Sequence, residues 1–147
     1  MLRRRRSVLG ELERVVPGRT RPAKGVVWRF TVWEDGELAE PEEFWRPAPG
    51  DGAPDGMTVD DDGHLWVAMW GGSAVLRIAP DGATAARADV PARQPTSVCL
   101  VDGRLVVTSA TVGLPAPAPA DGRLYAVPLG DLGATTTAPA AREYRGG

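Results

Sequence analysis

Seven Asp-Gly pairs divide this 147-residue chain into short apolar segments, at positions 35, 51, 55, 62, 81, 102 and 121. Asp-Gly tolerates positive φ and is a strong signal for a hairpin when alternating apolar residues flank it. The segments between the pairs alternate and are rich in β-branched and aromatic residues, whereas no ten-residue stretch after residue 25 has helical periodicity. The chain is therefore predicted to be all-β, with strands over 26–33, 56–60, 64–69, 74–79, 84–90, 96–101, 104–109 and 123–128.

The predicted strands repeat along the chain. Gly63-His-Leu-Trp-Val-Ala matches Gly103-Arg-Leu-Val-Val-Thr at an offset of 40 residues, and Val27-Trp-Arg-Phe matches Val75-Leu-Arg-Ile at an offset of 48. Repeats of 40–50 residues with four short antiparallel strands are typical of β-propeller blades. We expect about two and a half blades, with a Pro- and Ala-rich insertion at 112–120, which is about half of what a closed ring needs.

Charge is unevenly distributed. Residues 1–24 carry a net charge of +6 and residues 25–147 a net charge of −8. We predict that 1–24 is a basic, poorly ordered N-terminal segment, with a strand-like pattern over 8–18, and that 25–147 is the partial propeller. The basic run lacks the uninterrupted apolar stretch of a signal peptide. The overall charge of −2 does not favour nucleic-acid binding, and no run of 18 apolar residues occurs. We expect a cytoplasmic protein without a membrane or nucleic-acid partner.

Three motifs follow one another along the chain: Pro54-Asp55-Gly56-Met57, then Asp62-Gly63-His64-Leu65-Trp66-Val67-Ala68, then Gly71-Gly72 before Val75-Leu76-Arg77. They resemble the senescence-marker-protein-30/gluconolactonase/luciferin-regenerating-enzyme family over roughly residues 25–130. The resemblance implies a six-bladed propeller that binds one divalent cation (Ca, Zn or Mn) and hydrolyses sugar lactones. The chain is thus expected to act as a lactonase, a carboxylic ester hydrolase, on a small-molecule lactone.

Asp55 is the candidate site residue. By resemblance it matches the metal-binding aspartate of the family, which is also proposed to transfer a proton. The order of the strands agrees, because the segment that holds Asp55 shares one end of the sheets with 69–73, 92–96 and 112–120. The alternative is that Asp55 belongs to an ordinary Asp-Gly turn. Substrate-binding residues are not identified by the sequence.

Other residues give weaker signals. Asp60-Asp61-Asp62-Gly63 fails the EF-hand spacing and is predicted to be a hairpin turn at the opposite end. His64 is expected at the surface and Trp66 in the core, and Trp70 is a candidate for the rim of the channel.

The family's remaining metal ligands include asparagines, and this chain contains no asparagine. One carboxylate cannot hold a hard cation tightly. We therefore expect an incomplete metal site in a C-terminal portion of such a hydrolase, which could be inactive alone. The alternative is a non-catalytic partial propeller, a degenerate gene product or an interaction scaffold, that self-associates through its open blade edges.

Overall fold

The structure, a computed structural model, describes residues 25–33 and 36–132 in full, together with the backbone of Arg5–Gly10. These residues form ten antiparallel strands in three sheets, and a single short 3₁₀ helix. The elements are β1 Arg5–Gly10, β2 Val27–Trp33, β3 Glu42–Trp45, β4 Ala53–Val59, β5 Leu65–Trp70, β6 Ala74–Ile78, β7 Thr84–Asp89, β8 Pro95–Val101, β9 Arg104–Ser109, β10 Tyr125–Pro128 and the 3₁₀ helix Leu129–Leu132.

Consecutive strands are neighbours in every sheet. The first sheet has the order β1-β2-β3, the second β4-β5-β6-β7, and the third β8-β9-β10. All pairings are antiparallel. The all-β prediction and the four-stranded antiparallel unit are confirmed. Within the predicted N-terminal segment, Arg5–Gly10 pairs with β2, while 1–4 and 11–24 lie outside the described residues.

The second sheet is packed between the other two. On β5, Leu65, Val67 and Met69 belong to one apolar cluster with Val27 and Trp45 of the first sheet. The alternate residue Trp66 belongs to a cluster with the third sheet, whose members are Val98, Leu100, Leu105 and Val107. Successive strand residues point to opposite faces, so β5 is apolar at every position because both of its faces are buried.

The strand directions define two ends of the stack. We call the end at which β4 and β8 begin the entry end, and the end of the β4–β5 and β8–β9 hairpins the turn end. β7 finishes at the entry end, since Asp89 pairs with Ala74 there, and only residues 90–94 separate it from β8. The insertion between β9 and β10 lies at the entry end too. The segments predicted to share one end with Asp55 therefore do so.

Candidate functional site at the entry end

Asp55 is exposed and lies inside strand β4, at a β-bulge. Pro54 pairs with Met69 and Met57 with Val67, so Asp55 and Gly56 together lie opposite the single residue Ala68. Bulges leave a residue outside the hydrogen-bonded ladder and are common next to active sites, where they redirect a side chain. The bulge explains why a charged residue is tolerated in a strand next to a buried core.

Asp55-Gly56 is not a hairpin turn. The glycines of the other six Asp-Gly pairs all have positive φ, as the turn interpretation requires: Gly36, Gly52, Gly63, Gly82, Gly103 and Gly122. Gly56 is the exception, because it is extended inside the strand. The same dipeptide thus has a different structural role at this one position.

Gly56 lets two neighbouring sheets approach each other closely. A Cβ on Gly56 would lie 2.5 Å from the Ser97 hydroxyl oxygen and 2.7 Å from the Ser97 Cα. Strand β8 carries its own bulge here, between Pro95 and Ser97. Each bulge follows a buried proline, Pro54 in β4 and Pro95 in β8. Thr96 is therefore the structural equivalent of Asp55 on the adjacent strand.

The insertion between β9 and β10 is clamped to this end by an ion pair between the exposed Arg93 and the buried Asp121. Arg93 Nη2 lies 2.6 Å from Asp121 Oδ2, and the backbone N–H groups of Arg93 and Ala118 donate to the same carboxylate. The Asp121 side chain is 1% exposed. Hydrogen bonds from the Arg93 side chain and then from the two backbone groups lower the pKa of Asp121 to about 2. The insertion is thus a fixed wall of the entry end.

Asp60, at the turn end, has a fully buried side chain with five hydrogen-bond donors. The backbone N–H groups of Asp62 and His64 donate to Oδ1, while Trp66 Nε1 and two nitrogens of Arg77 donate to Oδ2 at 2.8–3.0 Å. Burial alone would raise the pKa of Asp60, but the hydrogen bonds from Arg77, Trp66 and His64 outweigh it and lower that pKa. Asp60 therefore connects the β4–β5 turn to β5 and β6.

Among the described residues, one group of three acidic, cysteine or histidine side chains lies close enough together to share a metal ion. It consists of Asp60, Asp62 and His64. The Arg77 guanidinium already lies against Asp60 and also 3.3 Å from Asp62. A carboxylate offers about four lone-pair sites, and Asp60 accepts five hydrogen bonds. A cation there would have to displace Arg77, so these residues fit a structural role better than a metal site.

Asp55 belongs to no such group within the described residues. A hard cation such as calcium takes six to eight oxygen ligands. The residues described at the entry end therefore do not by themselves make up the expected divalent-cation site, and the cation stays a prediction.

Three aromatic predictions have different outcomes. Trp66 is fully buried, which confirms its place in the core. His64 is half-buried: its side chain is 22% exposed, and its Nδ1 is buried 3.7 Å from Asp60 Oδ1. The surface prediction therefore holds for only part of this side chain. Trp70 is half-buried at the entry end, where it pairs with Ala53, and its place on a channel rim stays a prediction.

The sequence interpretation missed two buried aspartates, Asp60 and Asp121. Asp60 precedes the Asp62-Gly63 pair and Asp121 belongs to the Asp121-Gly122 pair. A place in or beside a turn suggested that both side chains would be exposed to solvent. The signal that could have found Asp60 is the combination of Trp66 and Arg77 on the next two strands, because each brings a donor to the same carboxylate.

The family model for the SMP-30/gluconolactonase/LRE-like region matches residues 21–111, more than half of the chain. The chain belongs to this family. The matched range includes the Asp55 bulge, the Asp60 network and Thr96, so the features described above lie within the family region.

Curated relatives are named for lactone chemistry. An L-arabinolactonase of Azospirillum brasilense is 51% identical over 87 residues, which cover 58% of this chain and 29% of the relative. A pentonolactonase of Haloferax volcanii is 41% identical over 73 residues, which cover 49% of this chain and 25% of the relative. The matched part thus amounts to between a quarter and a third of these relatives.

Among solved structures, the calcium-binding protein regucalcin of Agrobacterium tumefaciens superposes with a TM-score of 0.69 at 30% identity, covering 82% of this chain and 42% of that one. The three sheets therefore have the packing of a regucalcin-type propeller. In the part of the chain that the structure describes, no helix is long and apolar enough to span a membrane. The cytoplasmic location and the absence of a nucleic-acid partner stay predictions.

Proposed function

We propose that this chain forms part of the active site of a sugar-lactone hydrolase, with Asp55 as the catalytic side chain. Relatives that share this part of the chain are named lactonases. The observation that supports Asp55 is its position: an exposed carboxylate on a bulge at the entry end, on a strand that touches the neighbouring sheet. We further propose that the sheets are about two and a half blades of a six-bladed ring.

The chemistry that Asp55 would perform is the transfer of a proton. As a general base, the carboxylate would accept a proton from a water molecule as that water attacks the lactone carbonyl carbon. The carbonyl then becomes tetrahedral, the bond between that carbon and the ring oxygen breaks, and the ring oxygen takes up the proton. One lactone and one water thus give one hydroxy acid.

We also propose that Asp55 contributes one ligand to a divalent cation, Ca, Zn or Mn. When bound, such an ion would polarise the lactone carbonyl. The remaining oxygen ligands would have to come from groups other than the acidic and histidine side chains described near the turn end, because Arg77 occupies that position.

The test is to measure hydrolysis of L-arabinolactone and gluconolactone by the purified chain, after subtraction of spontaneous opening, together with calorimetric titration of each cation. We expect Asp55→Ala to lower the rate constant at least about a hundredfold, the lower range for loss of a general acid or base. It should also abolish saturable cation binding.

Asp62→Ala is the matched control, because Asp62 is an exposed carboxylate at the turn end. Its turnover and cation binding should equal those of the wild type. Equal rates of lactone opening by the wild type and by Asp55→Ala would contradict the proposal. Cation binding that depends on Asp62 and not on Asp55 would contradict the metal assignment.

A second candidate function is that of a non-catalytic scaffold that self-associates. It is favoured by the third sheet, in which the alternate β8 residues Ser97, Cys99 and Val101 are exposed, Val101 at 49%. Strand β10 also has only one hydrogen-bonded neighbour among the described strands. Exposed edges and apolar faces of sheets favour association.

Sedimentation velocity over a range of protein concentrations distinguishes the scaffold from the enzyme. A scaffold should sediment as a concentration-dependent oligomer that Val101→Lys weakens. Val112→Lys, an equally drastic change at an exposed residue of the insertion, should leave the oligomer intact. A monomer at all concentrations would exclude this candidate.

A further inference from the structure

A pair of threonine hydroxyls lies at the entry end, on the sheet next to Asp55. Thr96 Oγ1 and Thr108 Oγ1 are 2.7 Å apart, and either can be the donor. Thr108 is exposed and Thr96 is half-buried. Neither residue belongs to the apolar core.

Thr96 has the same structural position on β8 that Asp55 has on β4. Both residues follow a buried proline, both lie at a bulge, and the residues that follow them, Gly56 and Ser97, are in direct contact. The fold thus brings a carboxylate and a hydroxyl to equivalent places on two adjacent strands.

The hydroxyl pair has unused hydrogen-bonding capacity. Two hydroxyls carry two protons, and one of these is used between them. The next acceptor, the Ser97 carbonyl oxygen, lies 3.5 Å from Thr108 Oγ1, which is too long for a strong hydrogen bond. The pair can therefore donate one further hydrogen bond and accept others, which is the combination that a sugar hydroxyl needs.

We propose that Thr96 and Thr108 bind one hydroxyl group of the lactone while its carbonyl lies at Asp55. This inference rests on the proposed function and deepens it, because it assigns substrate-binding residues and makes the hydroxyl pattern of the lactone a determinant of specificity. A site built to bond a hydroxyl discriminates against an analogue that lacks it.

The test combines Thr96→Val and Thr108→Val with a series of lactones that each lack one hydroxyl. We expect each variant to lower kcat/KM about three- to tenfold for the parent lactone, the loss of one neutral hydrogen bond. The deoxy lactone that lacks the hydroxyl bound by the pair should be turned over with equal kcat/KM by the wild type and the variants, because that hydrogen bond is then absent in all of them. Thr96→Ser, which keeps the hydroxyl, should restore the wild-type value.

Thr84→Val on the outer strand β7 is the control, and its kinetics should match the wild type. If Thr96→Val lowers kcat/KM equally for every lactone in the series, or not at all, the inference is overturned while Asp55-dependent turnover stands. Calorimetry with the corresponding sugar lactam, whose ring amide resists opening, gives the second readout. If the wild-type chain neither turns over the lactone nor binds the lactam, the proposed function fails and this inference fails with it.

Discussion

Asp55 and Asp60 are five residues apart, at opposite ends of β4, and they have opposite environments. Asp55 is exposed on a bulge. Asp60 is buried and receives five hydrogen bonds, including two from Arg77. The difference teaches that two nearby carboxylates of one chain need not be equivalent, because one whose lone pairs are all used, such as Asp60, can stabilise a fold but has little capacity left for a ligand.

The comparison also shows why proximity of side chains is a poor guide to a metal site. Asp60, Asp62 and His64 lie close together because one tight turn contains all three. The positive charge that balances Asp60 is already supplied by Arg77, from two strands away. Asp55 belongs to no such cluster among the described residues, yet its residue is exposed, whereas Asp60 is buried.

The largest expected effect is on stability, from Asp60→Ala. This change leaves the guanidinium of Arg77 and the indole N–H of Trp66 without their acceptor. Removing one partner of a buried ion pair typically costs about 3–5 kcal/mol. Urea unfolding followed by tryptophan fluorescence should show that loss. Asp62→Ala, at a carboxylate that is 60% exposed, should lower the free energy of unfolding by less than about 1 kcal/mol. Equal losses in the two variants would contradict the structural role assigned to Asp60.

Gly56→Ala should have the next largest effect, because its Cβ would overlap Ser97. Forcing extra atoms into a tight contact costs about 1–3 kcal/mol, and it should also displace Asp55 and reduce turnover. Gly130→Ala is the control, since nothing lies within 4 Å of that Cβ and its φ is ordinary. Adding Ser97→Gly should restore only part of the stability, because the Ser97 Cα stays in place.

A smaller effect is expected from pH. The pKa of Asp121 is about 2 in the folded chain, below its ordinary value of 3.8, so its contribution is complete above that ordinary value and is lost as pH falls through the folded one. Asp60 acts in the same direction. Urea midpoints of the wild type should therefore fall steeply between about pH 4 and pH 2. In Asp121→Asn the urea midpoint should fall less steeply with pH. The same pH dependence in the variant and the wild type would contradict a stabilising role for the Arg93–Asp121 ion pair.

The smallest expected effect on stability is that of Asp55→Ala. Substitution of an exposed side chain should change the free energy of unfolding by no more than about 0.5 kcal/mol, although the rate constant for turnover should fall at least about a hundredfold. Thermal unfolding of the wild type and the variant, under identical buffers, measures the difference. A destabilisation comparable to that of Asp60→Ala would mean that Asp55 is structural too.

The sequence predicts eight of the ten strands, because both the alternation and the turns are local signals, but it does not predict β3. Asp81-Gly82 and Asp102-Gly103 do make the expected turns, each with a positive φ at the glycine. The strand over Arg5–Gly10 is harder to predict, since its basic residues suggest solvent and its pairing with β2 joins distant parts of the chain.

The site is less predictable than the fold. Asp55 is singled out by family resemblance, but the bulge that holds it is packed against a neighbouring sheet through Gly56 and Ser97, two residues 41 positions apart. The buried Asp121 likewise pairs with Arg93, which lies 28 residues away between β7 and β8. Such long-range contacts leave no periodic signal in the sequence.

The repeated proline and bulge have a consequence for how such proteins diversify. A residue that takes no part in the ladder can be exchanged without shifting the register of its strand. The second and third sheets therefore each offer one interchangeable position at the entry end, filled by an acid, Asp55, in one and an alcohol, Thr96, in the next. Duplication of the unit followed by substitution at that position would change the reactivity of the whole assembly while its framework stays the same.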